Sequence, residues 1–189
     1  MGIVTTSDFR KGIKVEIDGQ PYLMLECEFV KPGKGQAIYR TKLRNLLTGA
    51  IIDRTYKSGD SVQSADVREG DATYLYRDKS GYVFMDTETY EQYHLTAEQI
   101  GEPAKFLKEE MPVRMVYWNN TPITVTLPYH VVLKVTYTEP AVRGNTAGNV
   151  MKPATLETGA TIQVPAFVQV GDLVRVDTRT GEYIERANQ

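Results

Sequence analysis

Nucleophilic or metal chemistry in this chain would have to be built from Cys27, His94 and His130, and their number and spacing exclude most of it. A lone cysteine makes neither an internal disulfide nor a CxxC zinc site. The two histidines stand 36 residues apart with no ligand-type spacing around them. Neither lies in a nucleophile motif, and no DxDxDG run offers a calcium loop. We therefore expect no catalytic residue, no metal and no cofactor. Cys27 falls inside a strand-like run, where a buried, inert thiol is the expected state. Such cysteine usage fits a reducing, cytoplasmic location.

A different kind of chemistry is offered by Lys31-Pro32-Gly33-Lys34-Gly35. It carries the glycines and lysine of a phosphate loop but not the GxxxxGK[ST] order, and a strand rather than a helix follows, so nucleotide hydrolysis is not expected. What remains is a lysine at the apex of a tight turn. That places a point charge on a flexible stem away from the body, able to enter a phosphate-lined cleft and open to a modifying enzyme. A solvated hairpin lysine is the plainer alternative. The surrounding stretch is basic: Lys31, Lys34, Arg40, Lys42, Arg44, Arg54 and Lys57 face Asp53 alone between positions 31 and 57. Either a phosphate contact or a solvated strand face accounts for that run.

The elements that must position these residues read as strands. Ile13-Lys14-Val15-Glu16-Ile17 alternates, Asp18-Gly19 supplies a two-residue hairpin turn, and Pro21-Tyr22-Leu23-Met24-Leu25 returns. Ala37-Ile38-Tyr39-Arg40-Thr41-Lys42-Leu43 is the strand after the lysine turn. Further hairpins are expected around Asp78-Lys79-Ser80-Gly81 and Asn119-Asn120, and short strands at 161–164, 173–176 and 182–184 follow a polar loop at 140–152. Thr96-Ala97-Glu98-Gln99 resembles a capping start, with two helical turns expected over 104–110. Short strands at this spacing indicate an all-β chain of three consecutive small β-barrels, at 1–64, 65–127 and 128–189. Each would bury too little of its surface to stand without its neighbours.

The chain has 189 residues, 41% hydrophobic and 24% charged, with a net charge of -2, which is a globular composition. No apolar run approaches the ~20 residues of a membrane span, and the start, MGIVTTSDFR, lacks a secretory pattern. The charge is unevenly spread: ten Lys/Arg against seven Asp/Glu in 1–64, six against eleven in 65–127, and six against six in 128–189. Most of the aromatic residues alternate with polar ones and are expected in cores. Tyr183 beside Arg186 is the exception, an aromatic and a guanidinium able to stack on and pair with RNA.

Two segments carry a family resemblance. One is Glu28-Phe29-Val30-Lys31-Pro32-Gly33-Lys34-Gly35-Gln36-Ala37; the other is Lys152-Pro153-Ala154-Thr155-Leu156-Glu157-Thr158-Gly159, running on through Val164-Pro165-Ala166-Phe167 to Gly171. With Phe84-Met85-Asp86, Tyr90-Glu91-Gln92 and the ending Val176-Asp177-Thr178-Arg179-Thr180-Gly181-Glu182-Tyr183, the chain resembles bacterial elongation factor P over essentially its whole length. The resemblance implies an SH3-like, KOW-type barrel followed by two OB-type barrels in a transfer-RNA-like L, the third barrel marking the bacterial branch. It implies binding to the 70S ribosome between the P and E sites, relief of stalling at consecutive prolines, and contact with ribosomal RNA and the peptidyl-tRNA in the P site.

Residue by residue, Lys34 matches the lysine that relatives carry modified, often with a β-lysyl group added by a lysine-modifying enzyme. Lys31, Pro32, Gly33 and Gly35 match its setting beside the tRNA acceptor end. Arg143, Gly144, Asn145, Thr146, Ala147 and Gly148 match a loop near the E-site codon; Ala141 and Asn145 depart from the usual Gly and Asp there. Tyr183 and Arg186 match a pair near the anticodon stem of the P-site tRNA. A monomer without membrane contact is expected. Two competing readings are a ribosome-independent, single-stranded RNA-binding OB protein and an enzyme on a barrel scaffold; the second is disfavoured by the missing acid–base or nucleophile group.

Overall fold

The computed structural model describes residues 2–141 and 150–187. Three antiparallel sheets follow one another along the chain. The first contains β1 (Ile3–Thr5), β2 (Lys14–Ile17), β3 (Gln20–Val30), β4 (Ile38–Asn45), β5 (Ile51–Lys57) and β6 (Ser61–Ser64), in the order β1-β6-β2-β3-β4-β5. The second contains β7 (Val67–Asp78), β8 (Gly81–Asp86), β9 (Gln92–Leu95), β10 (Pro112–Trp118) and β11 (Thr121–Thr126), ordered β11-β10-β7-β8-β9. The third contains β12 (His130–Thr138), β13 (Met151–Leu156), β14 (Thr161–Pro165), β15 (Leu173–Asp177) and β16 (Glu182–Arg186), ordered β14-β13-β12-β15-β16.

Each sheet curls because its long strands are bent by bulges, at Met24/Glu26 in β3, Tyr74/Tyr76 in β7 and Val135/Tyr137 in β12. The result is an all-β chain of small barrels. Their ladders do not close completely, and the second is plugged instead: a single turn of helix, α1 (Ala97–Ile100), fills the gap between β9 and β11, where Thr124 Oγ1 donates to the carbonyl of Gln99 at 2.8 Å. The turn starts with the reciprocal cap expected from the sequence, since Thr96 Oγ1 accepts from the N–H of Gln99 and Gln99 Oε1 from the N–H of Thr96.

The two helical turns expected over 104–110 are replaced by a short 3-10 turn, Glu102–Phe106. Phe106 and Leu107 are both buried although adjacent, so the backbone leaves the helix at Leu107 to turn both inward. The hairpin turns are as expected: Asp18-Gly19 and Asn119-Asn120 both hold two residues at positive φ, the type I′ geometry that matches strand twist.

The cores are unequal. The first barrel has its own cluster, with Val15, Met24 and Leu43 at its centre. A smaller cluster of Leu46, Val116 and Ile123 joins it to the second barrel, and Gln99 Nε2 donates to the Leu46 carbonyl at 3.2 Å across the same joint. The second and third barrels share one continuous apolar cluster, from Phe84 and Phe106 to Leu133, Leu156 and Val176. Lys108 and Glu157 form an ion pair at 3.3 Å on its rim. No helix among the described residues is long and apolar enough to cross a membrane.

Candidate functional site

The longest two-stranded arm of the first barrel, β3 with β4, carries the lysine motif at its end. Its inner face is held by aromatic rungs: Phe29, Tyr39 and Tyr56 are cross-strand partners on β3, β4 and β5. Phe29 and Tyr39 have ring centroids 5.0 Å apart, and Phe9 sits edge-on to Tyr56 at 5.3 Å. Such pairs add roughly 0.5–1.5 kcal/mol each beyond their buried area, which stiffens an arm with little core beneath it.

Between the paired residues Val30 and Ile38 the chain makes an open loop over 31–37, not the tight turn the sequence suggested. The loop is anchored on its descending limb only. Gln36 Nε2 donates to the Ser58 carbonyl at 3.3 Å, and the Ser58 N–H to the carbonyl of Ala37 at 2.9 Å. Those two bonds tie the loop to the β5–β6 turn and leave Lys31, Pro32, Gly33, Lys34 and Gly35 exposed. Pro32 fixes one φ on the ascending limb. Gly35 has φ +118°, a conformation that only glycine holds without strain, whereas Gly33 is at no positive φ and has open space around it. Neither lysine forms an ion pair among the described residues. The tip therefore presents two ammonium groups on long stems, with no ion pair among the described residues.

At the far end of the chain, Tyr183 and Arg186 are three residues apart, a spacing that places two side chains on opposite faces of a regular strand. A bulge in β16 reverses this. Tyr183 pairs with Val176 and Arg186 with Val174, and those two valines share a face of β15. The pair is thus brought to one side of the sheet. Tyr183 is half-buried against the shared core, and burial pushes its phenol up from the usual value. Arg186 lies over the ring of Phe167, 4.9 Å from its centroid, and 3.7 Å from the Asp172 carboxylate. Arg143, Gly144, Asn145, Thr146, Ala147 and Gly148 lie outside the described residues.

Two features escaped sequence reading. Phe29 is 53% exposed at the head of the aromatic face, although its alternation with Cys27 could have flagged it. Arg179 forms a bidentate contact to Asp177 and covers Tyr129 at 4.2 Å, a stacked guanidinium that no local motif announces. Cys27 is half-buried in β3, and burial raises its thiol above the usual value, which makes it a poor nucleophile.

A crevice of about 670 Å³ lies where the barrels meet, lined among others by Arg44, Tyr74, Arg77, Glu98 and Glu102. Its charges are mixed, Lys105 and Glu102 pair at 3.3 Å, and its lining contains no cysteine, histidine or serine. No group of three or more His, Cys, Asp or Glu residues among the described ones is placed to hold a metal ion.

Comparison with known proteins matches all three barrels separately. The first matches the Elongation factor P (EF-P) KOW-like domain over residues 5–62, the second the Elongation factor P (EF-P) OB domain over 67–125, and the third the Elongation factor P, C-terminal family over 131–186. An elongation factor P from Moorella thermoacetica is 50% identical over 185 residues, covering 98% of this chain and 100% of that protein. Among solved structures, the eukaryotic translation initiation factor 5A from Methanococcus jannaschii aligns with a TM-score of 0.48 at 21% identity, over 67% of this chain and 92% of that one. A translation initiation factor eif-5a family protein from Naegleria fowleri aligns with a TM-score of 0.41 at 16% identity, over 66% of this chain and 95% of that one. On the three family matches and the near full-length sequence identity, the chain belongs to the elongation factor P family of translation elongation factors.

Proposed function

We propose that this factor binds the 70S ribosome between the P and E sites and speeds peptide-bond formation at consecutive prolines. In this reading it acts by holding the CCA end of the peptidyl-tRNA. The observation that carries it is the tip: a lysine at the apex of an exposed loop, without an ion pair among the described residues, on a stiff aromatic-backed arm. Proline is a ring-constrained secondary amine with φ fixed near −65°, so it attacks poorly and draws the nascent chain out of line. Restraining the tRNA end in a near-attack arrangement lowers the entropic part of the barrier without a catalytic group. The chain then acts as no enzyme and needs no cofactor; bond making stays with the ribosome.

Each group has a role in this reading. Lys34 reaches the acceptor end and makes charge-assisted hydrogen bonds to its backbone, better when a lysine-modifying enzyme has lengthened it, for instance with a β-lysyl group. Lys31 adds a second charge; Pro32, Gly33 and Gly35 shape the loop. Tyr183 and Arg186 meet the anticodon stem of the P-site tRNA, and the segment from Arg143 to Gly148 meets the E-site codon. The factor works as a cytoplasmic monomer in contact with ribosomal RNA, its barrels dividing near residues 64/65 and 127/128. A free single-strand-binding role is not favoured, because the chain belongs to a family of translation elongation factors; Tyr22, Tyr74, Tyr82, Phe84, Phe106 and Tyr117 are spent on cores, while Tyr90, Tyr129 and Tyr137 stay exposed.

Reconstituted translation of a triple-proline reporter tests the reading, with a proline-free reporter as control. Faster synthesis of the first alone, lost in Lys34→Ala, is expected. Equal effects on both reporters would refute the proline-specific role, and absence of 70S binding would refute the reading as a whole.

A further inference from the structure

The outer face of the β3–β4–β5 arm carries a graded charge. Glu26, Lys42 and Asp53 are partners across the three strands, net −1; Glu28, Arg40 and Thr55 form the next rung towards the tip, net zero; Val30, Ile38 and Lys57 form the last, net +1. The loop beyond adds Lys31 and Lys34. Directly opposed residues share a face, and alternate rungs are about 6.8 Å apart, so charge rises steadily over two rungs and into the loop.

The cations along this gradient are not equivalent. Lys42 lies between two carboxylates and is 4.0 Å from Glu26. Arg40 and Lys57 are exposed and form no ion pair among the described residues. Lys57 is also held next to the tip, because Ser58 carries both hydrogen bonds that anchor the loop. Asp60, the acidic neighbour in that turn, uses a carboxylate oxygen to accept the backbone N–H of Lys57 at 2.8 Å.

We propose that RNA contact by the first barrel extends below the tip onto the outer face of β4 and β5, through Arg40 and Lys57 to backbone phosphates, and stops at the acidic rung of Glu26 and Asp53. The proposal rests on the ribosome and tRNA reading above and adds its lower boundary. Free cations bind phosphate by displacing counterions, and each such contact steepens the salt dependence of affinity. A carboxylate pair one step further down repels a phosphate and keeps the arm from sliding deeper along the RNA.

The test is binding of the full chain to purified 70S ribosomes carrying P-site tRNA, measured from 50 to 200 mM salt in roughly four steps. Lys57→Gln and Arg40→Gln are each expected to weaken binding roughly five- to tenfold and to lower the log–log salt slope by about 1, with Lys57→Arg restoring the slope. Lys42→Gln is the control: it should leave the salt slope unchanged and weaken binding by no more than about twofold, through the rung's added negative charge. Unchanged slopes in Lys57→Gln and Arg40→Gln, with normal binding by the unaltered chain, overturn the inference alone. An equal loss in Lys42→Gln overturns it too, since the surface would then act as a general basic patch. Failure of the unaltered chain to bind ribosomes overturns the underlying reading and this one with it. Unfolding curves for each variant establish that the arm is intact.

Discussion

The two ends of the molecule treat their cations in opposite ways. At the hairpin tip Lys31 and Lys34 form no side-chain hydrogen bond or ion pair among the described residues and ride on a loop anchored along one limb. In the C-terminal barrel Arg179 is clamped by Asp177 and stacked on Tyr129, while Arg186 lies on Phe167 beside Asp172. A free lysine keeps its rotamer entropy until it binds, which suits reach and adjustment. A guanidinium already fixed by a ring and a carboxylate gives up little on binding, which suits a rigid, shape-matched contact. Replacing a lysine at the tip should therefore separate function from stability, and substitution at the other end should not.

The largest effect expected is that of Lys34→Ala, which should remove most proline-dependent rescue while shifting stability by no more than about 0.5 kcal/mol. A well-folded variant with full rescue would break the comparison at its centre. Next in size is Tyr183→Ala, expected to cost roughly 1–2 kcal/mol by urea unfolding because its partly buried side chain packs on the shared core, with ribosome affinity falling alongside. Lost affinity at unchanged stability would show that this end, too, is built for contact only.

The tip glycines sharpen the contrast. Gly35→Ala should cost about 1–2 kcal/mol of loop strain at φ +118°, read as a local loss of hydrogen-exchange protection near Ser58, while Gly33→Ala should leave that protection unchanged. Equal effects of the two would mean that the loop rearranges freely. A smaller effect is expected of acid. Tyr117 Oη donates to Asp86 at 2.6 Å, and the N–H groups of Thr89 and Glu88 add to this, so the Asp86 carboxyl lies below its ordinary range. A carboxyl with a depressed folded-state pKa stabilises above its unfolded value, about 3.9, and that contribution is lost as pH falls through the folded value. Unfolding midpoints of the unaltered chain should therefore drop below about pH 4. Tyr117→Phe should flatten that dependence, whereas Lys34→Ala should not alter it.

Much of this was legible in local sequence because local sequence causes it. Asp18-Gly19 and Asn119-Asn120 supply the positive φ values that a two-residue hairpin needs, and Thr96 with Gln99 closes its cap over one turn. The tip was legible for the same reason, since a Pro and two glycines between two β runs end both strands. Its openness was not. Whether 31–37 closes tightly depends on Ser58, a residue on another hairpin. The expected helix over 104–110 failed because adjacent Phe106 and Leu107 must both face inward, a demand set by the shared core.

By itself, the sequence determined an all-β chain of small barrels, the turns that link the strands, the site of the exposed lysine and the family. All of these depend on residues within a few positions of one another, or on the pattern of the whole chain. Tertiary structure decided which residues share a face and what holds them. A bulge in β16 brings Tyr183 and Arg186 together, register across three strands lines up the graded charges below the tip, and packing joins the second and third barrels through one core. The physical reason is that a one-residue slip in pairing moves every side chain of a strand to the other face, and that register is set by partners distant in the chain.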